Sequence, residues 1–164
     1  MLRGKKDTDG GLSGLKYELS ILRTEVHEMQ EKQKDALETL RKQISKLASG
    51  KIVTPKAILE GIGFDVVPVE ELDTYLEMTN GQVIDVRTDA EWKQGRIEGS
   101  LHIPLHALEG RLGELSDKNQ SFFLVCSTGD RALTACRIML KKGFESVFHV
   151  EGGLGRYSGE LVME

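Results

Sequence analysis

Cys126 is the side chain in this sequence best placed to act as a nucleophile. It follows the apolar run Phe122–Val125, which predicts a buried strand, and it precedes Arg131–Lys142, which predicts a helix. Ligands of open α/β sheets collect where a strand ends and a helix begins, and the unpaired N–H groups of the helix attract anions there. Cys126 therefore lies where a sulfur anion or an oxyanion would bind.

The chemistry expected of such a cysteine is that of a stabilised thiolate. An ordinary cysteine has a pKa of ~8.5, and each unit of depression reflects ~1.4 kcal/mol of preferential stabilisation of the anion. Gly129 allows the loop after Cys126 to curl so that successive N–H groups converge. The alternative is a buried core cysteine, because a free cysteine packs as a small apolar side chain. Cys136, within the predicted helix, is expected to pack in the core.

The elements that must position this loop indicate an α/β fold. From about residue 51, short apolar runs alternate with helical stretches, which predicts a mostly parallel sheet with flanking helices. The expected strands are Val66–Val67, Val83–Val86, Leu101–Ile103, Phe122–Val125 and Val147–Val150. The expected helical segments are Glu70–Met78, Asp89–Lys93, His106–Leu115 and Arg131–Lys142.

The first fifty residues follow a different pattern, that of a long coiled-coil helix. Their apolar residues recur at alternating steps of three and four, which keeps one seam facing a partner helix. The seam comprises Leu12, Leu15, Leu19, Leu22, Val26 and Met29, and after a change of phase it resumes as Leu37, Leu40, Ile44 and Leu47. We expect a homo-oligomer through residues 12–47. The alternatives are a helix folded back on its own domain and a solvated single helix.

Three segments are therefore expected along the chain. They are a coiled-coil helix over 1–50, a linker or helical connector over 51–65 and an α/β domain over 66–164. Residues 1–50 hold 10 basic and 8 acidic residues, and residues 51–164 hold 12 and 18, so the two parts carry about +2 and −6.

Composition and charge exclude several classes of function. The net charge is −4, so no overall basic field attracts nucleic acid. No apolar run reaches the roughly 18 residues of a membrane-spanning helix, and no signal peptide is evident, which predicts a cytoplasmic protein. Two cysteines form no disulfide framework. Pro104 separates His102 from His106, so we expect no metal site, and we expect no cofactor.

The cysteine loop and its surroundings resemble the single-domain rhodanese family of sulfurtransferases. The resemblance covers about Val66 to Glu164 and consists of several spaced matches. These are Asp85-Val86-Arg87, Glu91-Trp92-Lys93-Gln94-Gly95, Ile97-Glu98-Gly99-Ser100, Cys126-Ser127-Thr128-Gly129-Asp130-Arg131, Gly143-Phe144 and Gly152-Gly153.

The resemblance implies a rhodanese-like fold and a sulfur-carrying cysteine. Cys126 would accept a sulfane sulfur as a persulfide and pass it to a thiophilic acceptor such as a thiol. Asp85 and Arg87 would support the site, or else form a structural ion pair. The backbone N–H groups that would hold the persulfide are those of Ser127, Thr128, Gly129, Asp130 and Arg131.

Two loop residues depart from the family pattern and bear on the sulfur donor. Ser127 stands where a basic residue often follows the cysteine, and Asp130 adds a carboxylate. Both weaken the attraction for a dianion, so a thiol persulfide is expected as a donor beside thiosulfate. A cysteine-dependent phosphatase would need five residues between cysteine and arginine, whereas four separate Cys126 from Arg131. The alternative function is a docking or persulfide-sensing module with little or no turnover.

Overall fold

The computed structural model describes residues 9–163, with the backbone alone at residues 9 and 10. The chain divides into two compact units between Arg41 and Lys42. The first eight residues of the segment expected to form the coiled-coil helix lie outside the described residues. No helix within residues 9–163 is long and apolar enough to cross a membrane.

One helix of 40 residues, α1, spans Asp9–Ala48 and confirms the predicted helical extension. The seam residues between Leu12 and Leu47 are 42–58% exposed. α1 ends where Gly50 adopts a left-handed φ of 75° and the N–H of Lys51 bonds back to the carbonyl of Lys46. The association of the seam with a second helix stays a prediction.

The last turns of α1 belong to the second unit and are held there by polar contacts. The amide nitrogen of Gln43, a buried side chain, donates to the carbonyls of Ala57 at 2.8 Å and Ile62 at 2.9 Å. One turn later, Nζ of Lys46 lies 3.4 Å from a carboxylate oxygen of Asp65. Gln43 and Lys46 are not seam residues, although Gln43 lies directly beside the seam residue Ile44.

Five strands form the sheet of the second unit. They are β1 Asp65–Pro68, β2 Gln82–Asp85, β3 Leu101–His102, β4 Ser121–Val125 and β5 Ser146–Glu151. Their order is β1-β5-β4-β2-β3 and every pairing is parallel, which confirms the predicted α/β fold. Val125 is in register with Asp85, so the carboxyl ends of β4 and β2 lie side by side.

The helices of the second unit differ from the predicted ones mainly at their ends. They are α2 Pro55–Glu60, α3 Leu72–Thr79, α4 Asp89–Lys93, α5 Leu105–Arg111 and α6 Asp130–Lys141. The segment predicted as Glu70–Met78 begins as a 3₁₀ turn at Val69–Glu71, and the one predicted as His106–Leu115 ends as another at Leu112–Glu114. Within the expected connector, α2 begins at Pro55, whose missing N–H is tolerated in the first turn.

Side chains of β4 alternate between the two faces of the sheet, and both faces are buried. On one face Phe123 stacks on Phe148 with 4.4 Å between ring centroids. Phe122 and Leu124 lie in the other apolar cluster, which also contains the inner side of α6. Because the alternation continues past the end of the strand, Cys126 enters the cluster on the α6 side.

Candidate active site

The loop from Cys126 to Arg131 joins the end of β4 to the first turn of α6. The N–H of Gly129 donates a hydrogen bond to Sγ of Cys126, with 3.1 Å between nitrogen and sulfur. Gly129 has a φ of 111°, and a Cβ there would approach the ring of His149 to 3.3 Å. Glycine is therefore required for the curl that brings this N–H to the sulfur.

Cys126 is also completely buried. It belongs to the same apolar cluster as Ala132 and Met139 of α6. The residue thus has the apolar surroundings expected of a core cysteine and also the N–H contact expected of a stabilised thiolate. Cys136 lies in that cluster too, and burial raises the pKa of its thiol well above the ordinary value. This second thiol stays protonated and packs in the core.

A turn near the C-terminus forms backbone hydrogen bonds with the cysteine loop. The N–H of Leu154 donates to the carbonyl of Cys126 at 2.8 Å, and the N–H of Gly155 donates to the carbonyl of Ser127 at 3.0 Å. A Cβ on Gly153 would lie 2.5 Å from the carbonyl oxygen of Cys126. The second glycine of the Gly152-Gly153 pair therefore permits a close approach of two backbone segments.

Glu91, in α4, forms hydrogen bonds with two residues of the loop that follows Cys126. Its two carboxylate oxygens accept a bidentate pair of bonds from Arg131, at 2.7 and 2.6 Å, and Ser127 Oγ donates to the same group at 2.6 Å. The carboxylate also accepts the N–H and the hydroxyl of Thr88, the residue that caps α4. Glu91 is thus the centre of a network of charge-assisted hydrogen bonds.

The charges of this network reinforce one another. The Arg131 guanidinium, together with the bonds from Ser127 and Thr88, holds the pKa of Glu91 far below its ordinary value. In return, Glu91 and to a smaller extent the adjacent Cys126 raise the pKa of Arg131. Arg131 is therefore a fixed positive charge beside the sulfur, already paired with a carboxylate.

Asp85 and Arg87 pair with each other at the end of β2. Nε of Arg87 bonds to both carboxylate oxygens of Asp85, at 3.0 and 2.8 Å, and both side chains are buried. A terminal nitrogen of Arg87 also donates to the carbonyl of Gly95 at 2.7 Å. This geometry is that of a structural ion pair that fastens the turn after α4 to the sheet.

The remaining loop residues face outward. Thr128 and Asp130 are exposed, and the hydroxyl of Thr128 donates to the Asp130 carboxylate at 2.9 Å. The structure thus gathers Gly129 and Arg131 around the sulfur, binds Ser127 to Glu91 and leaves Thr128 and Asp130 at the rim. Among residues 9–163, no cluster of three His, Cys, Asp or Glu side chains is arranged to hold a metal ion.

His149 is a site neighbour that the sequence analysis missed. It lies in β5, it is buried, and its Nε2 is 3.0 Å from the carbonyl oxygen of Gly129. Because a carbonyl can only accept, Nε2 carries the proton and donates it. Burial lowers the pKa of His149, which keeps the ring neutral. The C=O of Gly129 and the N–H of Asp130 belong to one trans peptide and point in opposite directions. The bond from His149 to this C=O therefore fixes the N–H of Asp130 on the side away from His149.

These features define a known class of domain. The family model "Rhodanese-like domain" matches residues 68–160, and the chain belongs to this family. The resemblance inferred from the spaced motifs is therefore confirmed. Glu91 could have been singled out from those motifs, since Thr88-x-x-Glu91 is a capping-box pattern, but that pattern predicts only the local cap.

Several relatives carry sulfur-transfer names. A protein named "Sulfurtransferase" from Allochromatium vinosum is 32% identical over 72 residues, which is 44% of this chain and 66% of the relative. "Putative sulfur carrier protein YrkF" of Bacillus subtilis is 36% identical over 78 residues, or 48% of this chain and 42% of the relative. The chain thus spans less than two thirds of these two relatives.

Solved structures share the fold of the second unit. The crystal structure of a rhodanese-like domain protein from Staphylococcus aureus aligns with a TM-score of 0.55 and 29% identity, over 60% of this chain and 97% of that one. The Bacillus anthracis protein CoADR-RHD aligns with a TM-score of 0.52 and 37% identity, over 60% of this chain and 17% of that one. The chain is therefore rhodanese-like and has sulfurtransferase-named relatives.

Proposed function

We propose that the chain is a sulfurtransferase that carries sulfane sulfur as a persulfide on Cys126. The Cys126 thiolate attacks the outer sulfur of the donor, a bond forms between the two sulfurs, and the bond to the donor's inner sulfur breaks. Sulfite leaves with the electron pair from thiosulfate, and a thiolate leaves from a thiol persulfide. An acceptor thiolate then attacks the terminal sulfur and Cys126 departs as the thiolate. The observation that carries this proposal is the Gly129 N–H directed at Sγ.

The loop residues take roles that follow from their placement. The terminal sulfur of the persulfide carries negative charge, and backbone N–H groups over residues 127–131, at the start of α6, would hold it. Arg131 adds a positive charge beside Cys126, and Glu91 fixes its direction. Asp85 and Arg87 support the site indirectly, because they fasten the turn that follows α4.

Access to the sulfur requires a local movement. Cys126 has no exposed surface, whereas the neighbouring Arg131 side chain is 33% exposed and its partner Glu91 is 29% exposed. We propose that displacement of the Arg131 guanidinium, which interacts with Cys126, opens the sulfur to a donor. This movement would break the bidentate bonds of Arg131 to Glu91 and its bond to Ser127 Oγ.

The test is the mass of the intact protein after exposure to a donor. We expect incubation with thiosulfate or glutathione persulfide to add one sulfur atom to the wild-type chain. The addition should be absent in Cys126→Ser and retained in Cys136→Ser, which is the matched control for loss of a buried thiol. A chain that gains no sulfur from either donor, or a Cys126→Ser variant that still gains it, would contradict the proposal.

The second candidate function is a docking or persulfide-sensing module with little turnover, and the complete burial of Cys126 favours it. In that function the coiled coil brings copies together and the loop binds a partner or records a persulfide. Stoichiometric sulfur loading without transfer to cyanide or a thiol would identify this case. Either function requires a free thiol, which fits a reducing compartment such as the cytoplasm.

We propose further that residues 12–47 of α1 join copies of the chain. The seam is half exposed along its length, and Gln43 and Lys46, which make polar contacts within the second unit, are not members of it. Removal of residues 1–41, which form a compact unit of their own, should reduce the solution mass to that of a monomer. An unchanged oligomer would refute this role.

A further inference from the structure

We infer that α1 pairs with a second copy of itself in parallel and in register, through the seam from Leu12 to Met29. The inference rests on the proposed association of residues 12–47 and adds its orientation. In this stretch the seam residues are 49–58% exposed, and they follow the strict heptad spacing. Leu12, Leu19 and Val26 take the first seam position of each heptad, and Leu15, Leu22 and Met29 take the second.

The charges beside the seam decide between the two orientations. Glu18 and Glu25 flank one side of it, and Lys16 and Arg23 flank the other. In a parallel pair each flanking residue faces the opposite flank of the partner five residues further on, so Glu18 faces Arg23 of the partner subunit. In an antiparallel pair like flanks face each other, and glutamates would meet glutamates while the basic residues met basic residues.

These four side chains are available for such contacts. In the part of the chain that the structure describes, none of the four forms a salt bridge of its own. Positions three and four residues away from Glu18 and from Arg23 hold no lysine, arginine, aspartate or glutamate, so no pair within the helix competes with the pairing across the seam.

The register has its own signal at Gln33. This residue continues the strict first seam position after Val26 and is the polar member of that series. A polar residue at such a position favours the register in which it meets its own copy, because its amide then finds a hydrogen-bonding partner instead of an apolar side chain. In-register parallel pairing places Gln33 opposite Gln33 of the partner subunit.

Reversal of one flanking charge tests the orientation by the sign of its effect. In a parallel pair Glu18→Lys puts two lysines opposite arginines, and we expect the dimer dissociation constant to rise about tenfold at low salt. The double variant Glu18→Lys with Arg23→Glu restores both pairs and should return close to the wild-type value. Sedimentation measures these constants. In an antiparallel pair Glu18→Lys would instead face Glu25, and tighter association would overturn the inference.

Disulfide formation provides a second measurement. In a Cys126→Ser background, Val26→Cys should form a dimer under oxidising conditions, because parallel in-register seams bring equal positions together. Tyr17→Cys, on the outer side of the helix, is the matched control and should not. A dimer that Val26→Cys cannot cross-link would refute the orientation alone. A wild-type monomer would refute the association as well, and sulfur loading on Cys126 is measured independently of both.

Discussion

Replacement of Glu91 with glutamine tests how the cysteine loop is held. The carboxylate accepts five hydrogen bonds, two from Arg131, two from Thr88 and one from Ser127. Glutamine has nearly the same shape, but one acceptor oxygen becomes an NH₂ donor and the negative charge is lost. The amide could then accept only part of the hydrogen bonds that the Arg131 guanidinium donates to the carboxylate.

The size of the effect follows from the burial of the pair. Because the Glu91 and Arg131 side chains are 29% and 33% exposed, their interaction lies between ~0.2–1 kcal/mol for an exposed pair and ~1.5–3 kcal/mol for a buried charged bond. With the weakened cap of α4, the expected decrease in the free energy of unfolding is about 2 kcal/mol. For a chain of this size, that lowers the melting temperature by roughly 6 °C.

The effect also depends on pH with a definite sign. The unfolded chain takes up a proton on this glutamate near its ordinary pKa of ~4.3, whereas Arg131 keeps the pKa of the folded group far lower. The stability contributed by the carboxylate is therefore present above that pH and is lost as the pH falls below it. Wild type and Glu91→Gln should converge in acid.

Urea unfolding at neutral pH and in acid provides the assay, with Glu109→Gln as the matched control. Glu109 forms an equally short pair with Lys142, at 2.6 Å, but the two side chains are 65% and 47% exposed. We expect no change in its unfolding midpoint. A Glu91→Gln variant that behaves as this control does, or whose deficit is as large in acid as at neutral pH, would contradict the assigned role of Glu91.

Three further variants test other contacts of the site. Gly153→Ala would place a Cβ 2.5 Å from a loop carbonyl oxygen, and it should lower the rate of sulfur loading, followed by intact mass, by at least about tenfold. Asp85→Asn leaves the buried Arg87 guanidinium without its countercharge and should cost about 3–5 kcal/mol in urea unfolding. Because burial lowers the pKa of His149, the unfolded chain binds its proton first, and wild-type stability should fall below pH ~6.5 more steeply than that of His149→Gln in the same assay.

Local signals were sufficient to predict the strand that carries the cysteine and the helix that follows it. The run Phe122–Val125 is apolar at every position, as a strand buried on both faces must be, and the structure places it at the centre of the sheet. Gly129 marked the point where the backbone curls. The predicted strand Val83–Val86 ends one residue earlier, although the N–H of Val86 still bonds to the carbonyl of Val125.

The contacts that fix the loop could not be predicted from the sequence, because they join segments that are distant along the chain. Glu91 meets Arg131 across 40 residues, and only the parallel register of β2 and β4 brings their following turns together. His149 lies in a run of apolar strand residues, where a histidine is typical of the core. Its bond to Gly129 depends on β5 lying next to β4, which no local pattern specifies.

The charges of the loop bear on which donor the proposed sulfurtransferase would accept. Glu91 already neutralises Arg131, while Asp130 at the rim carries an exposed negative charge. Residues 51–164, with 12 basic and 18 acidic residues, add a net −6, so long-range attraction for a dianion is absent. Because Glu91 offsets most of the charge of Arg131, the backbone N–H groups are the main attraction for an anion, and they act only at contact distance. In both donors the thiolate attacks a terminal sulfur, but thiosulfate approaches as a dianion. We therefore expect a thiol persulfide to load Cys126 faster than thiosulfate.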